Sequence, residues 1–237
     1  MTAPPDMTDT MTTAPPAPTT PEASSVPLAV KLGFTAFMAV LVPYYWANYG
    51  VTNFVYFCDI ALFLTLWSVW TERPLAASMA AVGILLPQLA WQVDFLLNAV
   101  NLPGLGMTDY MFDAARPLFV RGLSFFHFWL PILLVYLVHR LGYDRRALAG
   151  WTLIAWAAML VGYFLLPGPG DPYDFPMQPH NVNYVYGPSE TAAQVWMPAP
   201  AWLAVMMIGL PVLVYGPTHL LLNRWRGLPR RGITNTP

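Results

Sequence analysis

Six runs of apolar residues dominate this chain, each close to the ~20 residues that a helix needs to cross the hydrocarbon of a bilayer. They extend from Val26 to Tyr49, Thr52 to Thr71, Pro74 to Val100, Pro117 to Leu141, Leu148 to Leu166 and Ala199 to Trp225. Only 10% of the residues are charged and 57% are apolar, whereas a soluble domain is about a quarter charged. Too few charges remain to coat a water-facing surface, so lipid must be the solvent for most of the chain. The predicted fold class is an all-α membrane protein: a six-transmembrane-helix bundle over residues 26–225, with kinked helices where Pro43, Pro87, Pro131 and Pro211 interrupt the spans.

The flanks read differently. Residues 1–25 are mostly Thr, Pro, Ala and Ser, a composition that cannot offset the entropy of ordering, and predict a disordered N-terminal tail rather than a signal peptide. Residues 226–237 form a short basic tail. The positive-inside rule orients the bundle: with the amino terminus inside, Lys31, Arg73, Arg140, Arg145, Arg146, Arg224, Arg226, Arg230 and Arg231 fall in the cytoplasm and only Arg116 and Arg121 outside, nine against two. The expected place is the cell (inner) membrane with both termini cytoplasmic. The Pro/Gly-rich connection 167–198 has no Lys or Arg and is assigned to the external side.

Several function classes drop out. Eleven Lys and Arg, mostly in loops, offer no basic stripe for nucleic acid. A single cysteine, Cys58, excludes internal disulfides and Cys-pair metal or redox motifs. No internal repeat suggests an inverted-repeat transporter. No cofactor is expected, and Asp171, Asp174 and His180 in the external loop read as solvated groups before they read as a metal site. The expected partners are membrane lipids, with association of further copies of the chain an open alternative.

Ionisable groups inside a bilayer cost ~2.5–3.5 kcal/mol each on insertion scales, so each needs a partner or a purpose. Counting at 1.5 Å per residue from the outer boundaries of the spans places Cys58 and Asp59 about 8 Å down, with Asp94 and His127 about 9 Å down. Helical periodicity puts Cys58 on the small, inward face with Ala61 and Thr65, and Asp59 at its edge. Asp94, Asn98 and Asn101 form a polar stripe on the third span; Ser124, His127 and Pro131 form one on the fourth. Pro131 frees the His127 carbonyl of its helical partner.

A thiol needs a base to become a nucleophile. His127 can supply it, with Asp94 or Asp59 orienting the imidazole. At that depth a lipid ester is the natural substrate, and Arg121, Ser124 and Asn98 are candidate substrate contacts. The alternative is equally physical: a buried Cys is a small hydrophobe, and His127, Asp59 and Asp94 hydrogen-bond only to lock helices together.

The run Phe57-Cys58-Asp59-Ile60-Ala61-Leu62-Phe63-Leu64 resembles an uncharacterised bacterial membrane-associated protein family. Arg121-Gly122-Leu123-Ser124-Phe125-Phe126-His127, Leu141-Gly142-Tyr143-Asp144-Arg145-Arg146 and Asn183-Tyr184-Val185-Tyr186-Gly187 carry the same resemblance. More distantly, the Cys-Asp run, the later His and the late Asn-Tyr look like the YwaF-type integral membrane family. That family is similar to eukaryotic lipid acyltransferases and hydrolases. The resemblance implies Cys58 as nucleophile and His127 as base, and nothing further by position; Asn183 and Tyr184 join the candidate substrate contacts. Phe54 and Tyr56 stand where the YwaF-type motif has Pro and His. Two functions are thus expected: a lipid acyl transferase or hydrolase near the outer leaflet, or a non-catalytic scaffold, assembly factor or small-ligand binder.

Overall fold

The computed structural model describes residues 26–189 and 192–226. The tail expected at 1–25, the basic tail past Arg226 and Glu190 lie outside the described residues. All regular structure among the described residues is helical. Helix α1 (Leu28–Tyr49) is followed by a 3-10 turn, Val51–Val55, and by α2 (Phe57–Thr71) and α3 (Pro74–Ala99). A short α4 (Asp109–Phe112) precedes α5 (Leu118–Ser124) and α6 (Phe126–Leu141), which continue one another past Phe125. After α7 (Ala147–Phe164) comes a long connection holding a 3-10 turn at Val182–Tyr184. Helices α8 (Ala199–Leu210) and α9 (Gly216–Arg226) close the chain, joined by a π-helical turn, Pro211–Tyr215.

Five of these units are long and apolar enough to cross a membrane: α1, α3, α5 with α6, α7, and α8 with α9. Helix α2 is apolar but shorter, at 15 residues. The second span expected from Thr52 is therefore two pieces, because Tyr56 is extended (ψ 141) and breaks the helix before Phe57. Large apolar side chains such as Leu118 and Leu213 stand more than 70% exposed, a surface that suits hydrocarbon and not water.

Helix α3 is the central element and packs along α2, α6, α7 and α9. Its buried face is built from Ala76, Ala77, Ala80, Ala81, Gly83 and Ile84. Small residues let backbones approach where no hydrophobic force draws helices together in lipid. Gly83 is the tightest point, because a Cβ there would overlap the Trp151 indole of α7.

Two of the internal prolines expose how the bundle repairs itself. The His127 carbonyl freed by Pro131 accepts a hydrogen bond from Gln92 Nε2 of α3 at 2.8 Å. The Met207 carbonyl freed by Pro211 accepts one from Trp156 Nε1 of α7 at 2.7 Å. Each side chain from a neighbouring helix thus fills a broken rung, and Pro211 opens the π-helical turn.

One end of the bundle gathers the basic residues. Lys31 of α1 pairs with Glu72 at 2.7 Å, just past α2. Asp144 N–H donates to Ser78 of α3, the Tyr143 hydroxyl lies 2.6 Å from His219 Nδ1, and Arg145 donates to Asn223 of α9. The start of α1, the end of α2, the start of α3, the α6–α7 connection and α9 therefore share one end.

Candidate functional site

The opposite end carries the candidate site, and its geometry starts with how α2 begins. Tyr56 supplies no side-chain cap, so the first N–H groups of the helix need outside partners. Asn183 provides one from the long connection: its Oδ1 accepts from Phe57 N–H at 3.0 Å while its Nδ2 donates to the Val55 carbonyl at 2.9 Å. Asn183 reaches this position in a left-handed conformation (φ 56), which Asn tolerates better than most residues. Tyr184 follows in the same region (φ 59) and offers its carbonyl to Trp202 Nε1 of α8 at 2.8 Å. Both expected substrate contacts from this motif are thereby engaged as joints between elements.

The connection is folded throughout its described length. Asn181 donates to the Gly187 and Ser189 carbonyls and accepts from Tyr186 N–H. Met177 N–H donates to the Asn48 carbonyl of α1, and Phe175 packs over Gly50, whose φ of 70 ends α1. The Tyr186 hydroxyl donates to the Tyr163 carbonyl at 2.6 Å; burial raises its pKa above the ordinary phenol value, which keeps it a donor. Asp171 accepts from Gly168 N–H, and His180 stacks on Tyr173. No group of three His, Cys, Asp or Glu side chains gathers among the described residues.

Cys58 and Asp59 occupy the first turn of α2 instead of a position further down a longer helix. Periodicity placed Cys58 inward and Asp59 at the edge; the structure buries Asp59 to 2% exposure and leaves Cys58 half-buried. The reason is the preceding 3-10 turn, which folds Asn53 back over the helix start. Asn53 Nδ2 donates to Asp59 Oδ2 at 3.2 Å, and the Cys58 thiol donates to the same oxygen at 3.6 Å. Asp59 Oδ1 is buried without a hydrogen-bond partner. Ser124 donates to the Val120 carbonyl within its own helix at 3.3 Å.

His127 is turned to other partners. Its Nδ1 lies 2.8 Å from the Ser124 carbonyl, and its ring stacks on Trp91 and Phe126 with centroids 4.5 and 4.1 Å away. A carbonyl can only accept, so Nδ1 carries the proton and Nε2 keeps its lone pair. The orienting partner of the imidazole is this carbonyl, where the sequence pointed to Asp94 or Asp59. No hydrogen bond joins His127 to Cys58 among the described residues.

Asp94 is committed to the connection after α3. It accepts from Leu105 N–H, from Thr108 N–H at 2.9 Å and from the Thr108 hydroxyl at 2.8 Å. Asn98 donates to Asp109 Oδ1 at 3.0 Å, and Arg121 Nη1 donates to the Met111 carbonyl at 3.1 Å, while its Nε stays buried and unpartnered. These contacts fold residues 100–116 into one wall of a cleft of about 600 Å³. Asp109, Tyr110, Asp113, Arg116 and Tyr184 line it. Arg116 lies 5.5 Å from the Tyr110 ring centre, with its Nε 4.0 Å from Asp113 Oδ2.

Sequence reasoning missed Asn53, Gln92 and Thr108. Gln92 had a visible signal, because the carbonyl freed by Pro131 needs a donor and Gln92 is a polar group at the same depth on the neighbouring span. No family model, curated protein or solved structure matches this chain.

The Asn183 joint makes a direct prediction. Asn183→Ala removes both bonds and strains the left-handed backbone, and is expected to cost about 2–3 kcal/mol. Asn183→Asp keeps the acceptor for Phe57 N–H, loses the donor to Val55, and should cost about half as much. Thermal melting of the purified protein in detergent checks the order.

Proposed function

We propose that this chain is a six-pass integral protein of the cell membrane, with its basic end in the cytoplasm, that binds a phospholipid headgroup in the cleft at its external end. The Lys31–Glu72 pair supports six passes, since it brings the end of α2 back to the level where α1 starts. At 1.5 Å per residue α2 covers about 22 Å, and Val51–Val55 with its Asn183 clasp extends the unit toward the outer boundary. The basic residues at that shared end favour the cytoplasmic orientation.

The observation that carries the ligand is the mixed lining of the cleft. Arg116 offers a guanidinium to a phosphate, and Asp109 and Asp113 offer carboxylates to an amine. In this reading the polar groups of the spans fix helices, and the protein is a non-catalytic lipid binder. Titration of the protein in detergent with dihexanoyl phosphatidylethanolamine tests it. Arg116→Gln should weaken binding by about tenfold. Equal affinity in the two proteins, or no binding to either, would overturn the reading.

A second reading rests on the family resemblance and on one further observation. Cys58 is the second residue of α2, where first-turn N–H groups favour an anion, and His127 Nε2 is left as a free base by the Ser124 carbonyl. A thiolate at Cys58 would attack a lipid ester carbonyl, His127 would return the proton to the departing alcohol, and water would cleave the thioester. Slower alkylation of Cys58 in a folded His127→Ala protein supports this reading, and equal rates contradict it.

A further inference from the structure

We infer that the groove between α1 and α6 at the basic end of the bundle is a binding site for an anionic phospholipid, with its acyl chains against the aromatic walls and its phosphate at Arg140. The cleft lies at the other end of the bundle, so this goes beyond the cleft reading and stands without it.

Aromatic rings close the inner end of the groove. Phe34 and Phe37 of α1 stand edge-on to Trp129 of α6, with ring centres 5.9 and 4.9 Å away. From there toward the basic end a space of about 550 Å³ lies between the two helices. Ala29 and Gly33 form its α1 side with almost no side chain, facing Leu133 and Tyr136 of α6. A Cβ built on Gly33 would meet nothing within 4 Å. Ala29, Gly33 and Ile132 are exposed, so the groove opens to the surrounding hydrocarbon.

Size decides what fits. The α1 wall from Ala29 to Phe37 covers about 12 Å of helix. Over that length a helix 10–12 Å across needs roughly 900–1,400 Å³, whereas a hydrocarbon chain about 4–5 Å across needs roughly 150–240 Å³. One or two acyl chains therefore fit where a helix from a second copy does not.

Charge decides which lipid. Arg140 follows Tyr136 by four residues in the last turn of α6, so it stands on the groove's face, one turn nearer the basic end. Its side chain is exposed. Helix α1 starts one residue before Ala29 with no side-chain cap, and its first N–H groups add the positive end of a helix dipole. The acids of this end, Glu72 and Asp144, are engaged by Lys31 and Arg146 at 2.7 Å each. A guanidinium offers paired donors to a phosphate, and basic sites between membrane helices take anionic headgroups.

Native mass spectrometry of the full-length protein in detergent, incubated with equal amounts of dioleoyl phosphatidylglycerol and dioleoyl phosphatidylcholine, tests the site. The wild type should retain one phosphatidylglycerol, at least about tenfold in preference to phosphatidylcholine. Gly33→Leu fills the groove and replaces a poor helix former, so it should cut retention about fivefold or more with melting intact. Arg140→Gln, an exposed change that leaves the groove in place, keeps the proposal testable if Gly33→Leu does not fold. It should bring the two lipids within about twofold of each other. Equal retention of the two lipids by the wild type overturns the proposal, as does unchanged retention in Gly33→Leu or an unchanged preference in Arg140→Gln. So does a lipid-free dimer that becomes a monomer in Gly33→Leu, which would make the groove an interface between copies.

Discussion

Gly83→Ala is expected to lower stability by about 3 kcal/mol, at the upper end of the range for overpacking a core. The Cβ it adds would occupy the volume of the Trp151 indole. That indole cannot retreat easily, because it is fully buried and meets Phe57 of α2 and Tyr215 of the π-helical turn edge-on, at 6.0 and 6.2 Å. One methyl group therefore strains contacts among four elements. Trp151→Leu leaves a cavity and is destabilising alone, yet it removes the ring that the alanine strikes. The double variant should lose clearly less than the sum of the two single losses, and melting of all four proteins in detergent measures that coupling.

Asp94→Ala is expected to cost about 3–4 kcal/mol, because three donors lose a common buried acceptor. Asp94 is 1% exposed and Thr108 fully buried, so water cannot easily replace the carboxylate. Asp94→Asn should fall between the two, since its single oxygen can satisfy only part of the set. Melting follows the loss, and limited proteolysis should cut within residues 100–108 in the alanine variant before the rest of the bundle opens. A residue that only oriented an imidazole would show the opposite pattern, with stability intact.

Much of this architecture was legible in the chain. The first, third, fourth, fifth and sixth apolar runs end within a residue or two of the observed helical units, because hydrophobic length is set by the bilayer and punctuated by Pro and Gly. The break in the second run was not legible. Thr52 and Asn53 look like the polar start of a helix, and only Asn183, 126 residues away from Phe57 in sequence, reveals where α2 begins. The folding of 167–198 was hidden for the same reason, since its order comes from long-range bonds made by Asn181 and Asn183 and not from periodicity.

The candidate site was half readable. Asp59, Asp94, Ser124 and His127 were found because polar groups in apolar runs are conspicuous, but their partners lie on backbone or on residues distant in sequence. Depth along a helix brought Cys58 and His127 to one level. It could not show that the thiol would turn to Asp59 and the imidazole to the Ser124 carbonyl, since rotation about each helix axis depends on neighbours.

In the proposed function the cleft lies on the external side of a membrane. Single cysteines introduced as Leu105→Cys, Tyr173→Cys and Arg145→Cys in a Cys58→Ser background test this most directly, with a membrane-impermeant maleimide applied to intact cells. Leu105 and Tyr173 are 72% and 66% exposed and belong to the cleft end, whereas Arg145 belongs to the basic end. Labelling of Leu105→Cys and Tyr173→Cys in intact cells, with Arg145→Cys labelled only after permeabilisation, is the predicted result. The reverse pattern, or labelling of the Leu105 and Arg145 positions from the same side, would contradict it.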